Sequence, residues 1–225
     1  MTRLVIFDCD GTLVDSGANI YRALSEALAQ HDLPAPPLLT ARRVIGLSLV
    51  EAMAALVPDL PASQHVELAE CYKARFQALR VGGHVEEPLF DGIVDLLHAL
   101  EQDGWLLAVA TGKSDRGLKH CLDANNIHAR FVSLQTADRH PSKPHPSMAL
   151  QAMADAGASP DSTVVVGDTS FDMGMAVAAG AYGIGAAWGY HEREELLAAG
   201  AACVATEPGE VAQLASSLLE PRDGR

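Results

Sequence analysis

Leu4-Val5-Ile6-Phe7-Asp8-Cys9-Asp10-Gly11-Thr12 sets an apolar run directly before two carboxylates and a glycine turn. The run reads as a buried strand. The period of a strand sends Asp8 and Asp10 to one side and Cys9 to the other. Carboxylates beside a hydrophobic core are costly unless their charge is compensated, and a divalent cation is the simplest compensation. The pair is therefore expected to converge on one metal ion and one substrate. The competing reading is a strand ending in a solvated Asp-x-Asp-Gly turn.

Two further apolar runs end on polar groups. Trp105 to Ala110 stops at Thr111-Gly112, and Val164-Val165-Val166 stops at Gly167-Asp168. Phe131 to Leu134 and Tyr182 to Ala187 are weaker strand candidates. Helical patterns separate them: Ile93, Leu96, Leu97 and Leu100 recur at i, i+3, i+4 and i+7, and Val211 to Leu219 is similar. Alternating strands and helices predict an α/β fold, a Rossmann-like doubly wound parallel sheet with functional groups at the carboxyl ends of the strands. Asp8, Thr111 and Asp168 should then meet in space.

The stretch from Asp8 to Trp105 is far longer than one crossover helix needs. Ile20, Leu24, Ala27 and Leu28 follow Ser16, a candidate N-cap, and Ala69, Tyr72, Phe76 and Leu79 form a second apolar face. Pro34-Ala35-Pro36-Pro37 and Pro58-Asp59-Leu60-Pro61 divide this stretch into separate helices. Residues 15–86 are thus expected to be an inserted α-helical cap domain on a core of residues 1–14 and 87–225. The second hinge is placed near Gly82-Gly83. Such a lid can exclude water and select substrates; the alternative is helices that only pad one end of the core.

Composition narrows the function classes. With 225 residues, 48% apolar and 20% charged, the chain has the mix of a globular protein of one domain plus an insertion. A net charge of −13 opposes binding to nucleic acid or anionic membranes, so neither is expected as a partner. An acidic protein that binds an anion needs local positive charge, which makes any lysine near the site important. Cys9, Cys71, Cys121 and Cys203 show no metal-ligand or redox spacing. Without a leader segment or a long apolar run, a reducing cytoplasm is expected, with cysteines that mostly fill core space. No feature calls for an obligate protein partner.

Lys143-Pro144-His145-Pro146 lies in a strand-to-helix connection, its lysine held between prolines. Gly167-Asp168-Thr169-Ser170-Phe171-Asp172 joins a strand end to a helix start, with two carboxylates one helical turn apart. Taken alone, this last segment could be only a helix cap.

With these four motifs in order, Asp8-x-Asp10-Gly11-Thr12, Thr111-Gly112, Lys143-Pro144 and Gly167-Asp168 with Asp172, the chain resembles the haloacid dehalogenase superfamily. The likeness spans almost the whole chain. Leu13-Val14-Asp15-Ser16, Lys143-Pro144-His145-Pro146 and Trp188-Gly189-Tyr190 are similar to the phosphoglycolate-phosphatase-like branch, and the early helical insertion is similar to that superfamily's first type of cap.

The resemblance implies a Mg²⁺-dependent phosphatase acting on a small-molecule phosphate monoester. It makes Asp8 the nucleophile that forms an aspartyl-phosphate, and Asp10 the acid and base. Mg²⁺ would be held by the carboxylates of Asp8 and Asp168 and by the backbone carbonyl of Asp10. Thr111 and Gly112 would bind the phosphoryl oxygens, Lys143 would neutralise nucleophile and phosphate together, and Asp172 would orient Lys143 or metal-bound water. In the cap loop Arg42-Arg43-Val44-Ile45-Gly46-Leu47-Ser48, Arg43 and Gly46 are the candidate substrate contacts. Tyr190 and His191 are candidates for the rim of the same mouth.

The chemistry explains such a set. A carboxylate approaching a phosphate dianion is repelled until cations cancel charge on the nonbridging oxygens. The covalent intermediate splits one hard displacement into two easier ones, and a poor alkoxide leaving group needs a proton donor. Inside the superfamily the rival is a sugar-phosphate mutase. Gly167, where mutases often carry Glu, and the apolar surroundings of Gly46 favour hydrolysis. Dehalogenation needs neither Asp10 nor Asp168. Outside catalysis, a phospho-ligand-binding regulatory protein on the same fold remains an alternative. Phosphoglycolate, a sugar or nucleoside monophosphate, and pyrophosphate all stay open as substrates.

Overall fold

The three apolar runs form neighbouring strands in the computed structural model, which describes residues 2–220. In chain order the elements are β1 (Leu4–Phe7), α1 (Gly17–Ala29), α2 (Leu38–Arg42), α3 (Leu49–Leu56), α4 (Ala62–Val81), α5 (Ile93–Gln102), β2 (Leu106–Thr111), α6 (Asp115–Ala124), β3 (Phe131–Thr136), α7 (Ser147–Ala156), β4 (Thr163–Gly167), α8 (Ser170–Ala179), β5 (Tyr182–Ala186), α9 (Arg193–Ala198), β6 (Cys203–Ala205) and α10 (Val211–Leu219). The sheet runs β3-β2-β1-β4-β5-β6, with every pairing parallel. Strand order reverses between β1 and β4, the point at which doubly wound sheets open a crevice for ligands.

Side-chain alternation in β1 builds the two layers. Val5 and Phe7 pack with Leu97, Leu107, Val166 and Val211 on one face. Leu4 and Ile6 pack with Ala108, Met148, Val165 and Ala176 on the other. These strands are apolar on both faces because helices cover both. Phe7 lies level with Val109 and Val166, so Asp8, Thr111 and Asp168 leave the sheet at the same edge.

Helices α1–α4 form the insertion, with a core of their own from Ala23, Leu24, Leu28, Met53, Leu68 and Tyr72. The two connections to the sheet run side by side. Val14 pairs with Leu89 in an antiparallel bridge, and the Asp15 N–H donates to the Pro88 carbonyl at 2.9 Å. Helices α6 and α9 and strand β6 escaped the sequence reading. Helix α6 buries only Leu118, Cys121 and Leu122, and β6 is three residues long in an alanine-rich stretch. No helix among the described residues is long and apolar enough to cross a membrane.

Candidate active site

Asp8 sits just past the end of β1, 1% exposed. Its Oδ1 lies 2.8 Å from the Lys143 ammonium, and its Oδ2 is buried without a hydrogen-bond partner. Lys143 is itself fully enclosed and reaches Asp172 Oδ1 at 2.6 Å. Burial alone would lower the Lys143 pKa, but Asp172 and Asp8 together hold it above the ordinary lysine range. Burial pushes the Asp8 carboxyl up to about 7, with Lys143 opposing and Asp172 and Asp10 adding to the rise.

Asp168, two residues beyond the last paired valine of β4, is also buried. Its Oδ1 accepts from the Thr12 hydroxyl at 2.8 Å and its Oδ2 from the Tyr190 N–H at 2.9 Å. Burial, then the charges of Asp8 and Asp172, raise its pKa well above the usual carboxylate range. Gly11 makes this approach possible: its φ is +84°, and a Cβ there would stand 2.2 Å from Asp168 Oδ2. Carboxylate oxygens of Asp8, Asp168 and Asp172 gather within 4.8 Å of one another. Three buried carboxylates against the single Lys143 ammonium leave two negative charges when all are ionised. An all-oxygen donor set with that excess, and an orphaned Asp8 oxygen within it, fits a divalent hard cation.

The Asp10 side chain does not join this group. Strand alternation ends at Phe7, and the Gly11 turn carries the Asp10 carboxylate to the Lys113 ammonium, 2.8 Å away, and to the Ser16 hydroxyl. The spacing-based expectation that both motif carboxylates converge on one ion is thereby corrected. Only the backbone carbonyl of Asp10, the atom the family resemblance singled out, remains a candidate ligand. Ser16 is corrected as well: it stands at the N-cap position of α1, but its hydroxyl serves Asp10 rather than the helix.

Lys113 and Glu87 are site residues that sequence reasoning missed, and Thr12 was read as part of the first motif without a role of its own. Lys113 bridges Asp10 and Glu87, the latter at 2.6 Å, and Glu87 in turn holds Arg80 of α4 at 2.7 Å. Burial would lower the Lys113 pKa, yet Asp10 and Glu87 outweigh it and raise it well above the ordinary value. The only sequence signal was its place next to Thr111-Gly112 in a chain short of cations.

Thr111 and Gly112 lie at the end of β2, beside β1. The cap loop rests on them: a Cβ on Gly112 would stand 2.5 Å from the Leu47 carbonyl oxygen and 2.9 Å from that of Gly46. Gly46 also approaches Thr169, and the Ser48 N–H donates to the Ser142 hydroxyl at 2.8 Å, next to Lys143. Arg43 takes a different course from the one expected. It is exposed, does not line the cavity beneath the cap, and pairs with Glu195 of α9, tying cap to core. Tyr190 and His191 lie on the core side: the Tyr190 ring packs against Gly11 and Gly17, and His191 Nδ1 accepts from the Ser170 N–H at 3.2 Å. Thr169 does cap α8, its side chain and that of Asp172 bonding reciprocally, so the late motif is a helix cap and a charge anchor at once.

Buried carboxylates and lysines thus gather at the switch point of a doubly wound sheet, under a helical insertion. The chain belongs to the haloacid dehalogenase-like hydrolases, whose family pattern matches residues 5–186. It is similar to the "Probable phosphatase IndB" of Dickeya dadantii, 37% identical over 223 residues that cover 98% of this chain and 96% of that protein. It is also similar to a phosphoglycolate phosphatase of Xylella fastidiosa, 33% identical over 194 residues, 86% of this chain and 83% of that one. A hydrolase from Pseudomonas syringae shares the fold with a TM-score of 0.84 and 27% identity, over 96% of this chain and 99% of its own. Within the family the chain falls in the phosphoglycolate-phosphatase-like branch, and it is a phosphoric monoester hydrolase.

Proposed function

We propose that this chain hydrolyses a small-molecule phosphate monoester by passing the phosphoryl group first to Asp8 and then to water. The observation that carries the proposal is the buried Asp8 carboxylate, with one free oxygen and a lysine ammonium 2.8 Å from the other. Such a group is a nucleophile whose charge is already partly offset. Lys143, fixed by Asp172, neutralises the incoming phosphate. The Thr111 hydroxyl and Gly112 N–H bind its nonbridging oxygens. Asp10 faces the cavity, protonates the departing alkoxide and then takes a proton from the attacking water. Mg²⁺, held by the carboxylates of Asp8 and Asp168 and the Asp10 carbonyl, would supply the charge neutralisation that lets an anionic nucleophile meet a dianion.

Residues 15–86 serve as a cap on the core of residues 1–14 and 87–225, with its two connections held together where Val14 pairs with Leu89 and its second hinge near Gly82-Gly83. Four free cysteines suit a reducing cytoplasm. Hydrolysis is favoured over the mutase reading because a Cβ at Gly167 would lie 2.3 Å from Asp172, so the space for a further carboxylate there is already taken.

The test is turnover of para-nitrophenyl phosphate with Mg²⁺. Asp8→Asn is expected to lower kcat by at least about a thousandfold, as loss of a nucleophile does elsewhere, and chelation is expected to abolish turnover. An Asp8→Asn protein that keeps more than a few per cent of activity contradicts covalent catalysis.

A further inference from the structure

Between the cap helices and the Gly112 loop lies a cavity of about 250 Å³. Its walls on the cap side are largely apolar, with Leu24, Val44, Met53, Leu56, Tyr72 and Phe76 beside Lys73, Gln77 and Arg80 of α4. Its core side is Asp10 and the Gly112 loop with the start of α6, including Lys113, Arg116 and His120, and neither Asp8 nor Asp168 lines it. The cavity therefore adjoins Asp10, the group that protonates the leaving oxygen, and reaches the phosphoryl site only at Gly112.

We propose that this cavity receives the leaving group of the substrate, and that the leaving group is an apolar alcohol, aromatic or branched aliphatic, rather than a carboxylate-bearing one such as glycolate. The inference rests on the phosphatase reading above and names its substrate class. In the reaction the ester P–O bond breaks, the leaving oxygen takes the Asp10 proton, and a neutral alcohol remains in the cavity.

Size, shape and charge agree. An apolar cavity of about 150 Å³ already stays dry and accepts a benzene ring, and this one is larger. Tyr72 and Phe76 stand 5.8 Å apart between ring centroids, tilted by 35°, and present ring surface to a guest. A second anionic group on the substrate would need a free cation, and three of the four lysines and arginines that line the cavity are engaged. Lys113 serves Asp10 and Glu87, Arg80 serves Glu87, and Lys73 pairs with Glu70. The remaining one, Arg116, is exposed on α6. Carboxylates buried beside the cavity further disfavour a second negative charge there.

The experiment compares kcat/KM for ethyl, n-butyl and benzyl phosphate and for phosphoglycolate with the Mg²⁺-loaded protein. Each buried methylene is worth about fourfold, so n-butyl and benzyl phosphate are expected to exceed ethyl phosphate by at least about tenfold, and benzyl phosphate to exceed phosphoglycolate. Phe76→Ser is expected to reduce the benzyl-to-ethyl ratio at least about fivefold; the wild-type series decides the matter even if that variant fails to fold. Hydrolysis of all four with ethyl phosphate or phosphoglycolate ahead overturns the apolar assignment and leaves the phosphatase reading standing. No hydrolysis of these or of para-nitrophenyl phosphate overturns both.

Discussion

Asp10 shows how one side chain's role is set by residues the motif does not contain. Lys113 and Ser16 hold its carboxylate, and Glu87 holds Lys113 from the other side. Removing one partner of such a buried pair strands the others' charge. Lys113→Met is expected to cost on the order of 3 kcal/mol of stability in urea unfolding, and part of that loss should be recovered in the Glu87→Gln, Lys113→Met double variant. Strict additivity of the two would show that the three groups do not act as a unit. Lys143 was legible in the sequence because prolines bracket it in a connection aimed at the site. Lys113 was not, since its burial comes from Glu87, a residue on the return path from the insertion whose position only the folded chain reveals.

At the level of elements, the strands that end in Asp8, Thr111 and Asp168 were legible because burial on both faces leaves continuous apolar runs. Helix α6 and strand β6 were not: one is polar around most of its surface, the other too short for any period to show. The cap loop was legible in place but not in orientation. Its glycine lies against the core loops, whereas Arg43 is turned outward to Glu195. An exposed pair of this kind contributes little. Arg43→Ala is thus expected to alter kcat/KM by less than about threefold and stability by under about 0.5 kcal/mol. A loss of tenfold or more in kcat/KM would return Arg43 to the substrate.

Across the whole molecule, the collected carboxylates make stability depend on pH and cation together. The Asp8 carboxyl is raised from 3.8 to about 7, chiefly by burial, and Asp168 is raised for the same reason. A carboxyl raised on folding binds its proton more tightly in the native state, so its contribution is complete at low pH and lost as pH rises through the folded value. His140 and His191 are lowered by burial and act in the opposite direction, but only up to about the ordinary histidine range. With a chelator present, Tm is therefore expected to fall between about pH 6.5 and 8, and Mg²⁺ is expected to cancel the fall. A Tm that stays flat in both conditions would mean that the acidic group carries no such strain and needs no cation.

The proposed covalent role of Asp8 is open to direct capture. Protein mixed with radiolabelled para-nitrophenyl phosphate and Mg²⁺, then quenched in acid within a turnover, is expected to carry label on the peptide bearing Asp8, and Asp8→Asn protein is expected to carry none. Label on a different residue, or rapid hydrolysis with no labelled protein at any quench time, would contradict transfer through Asp8.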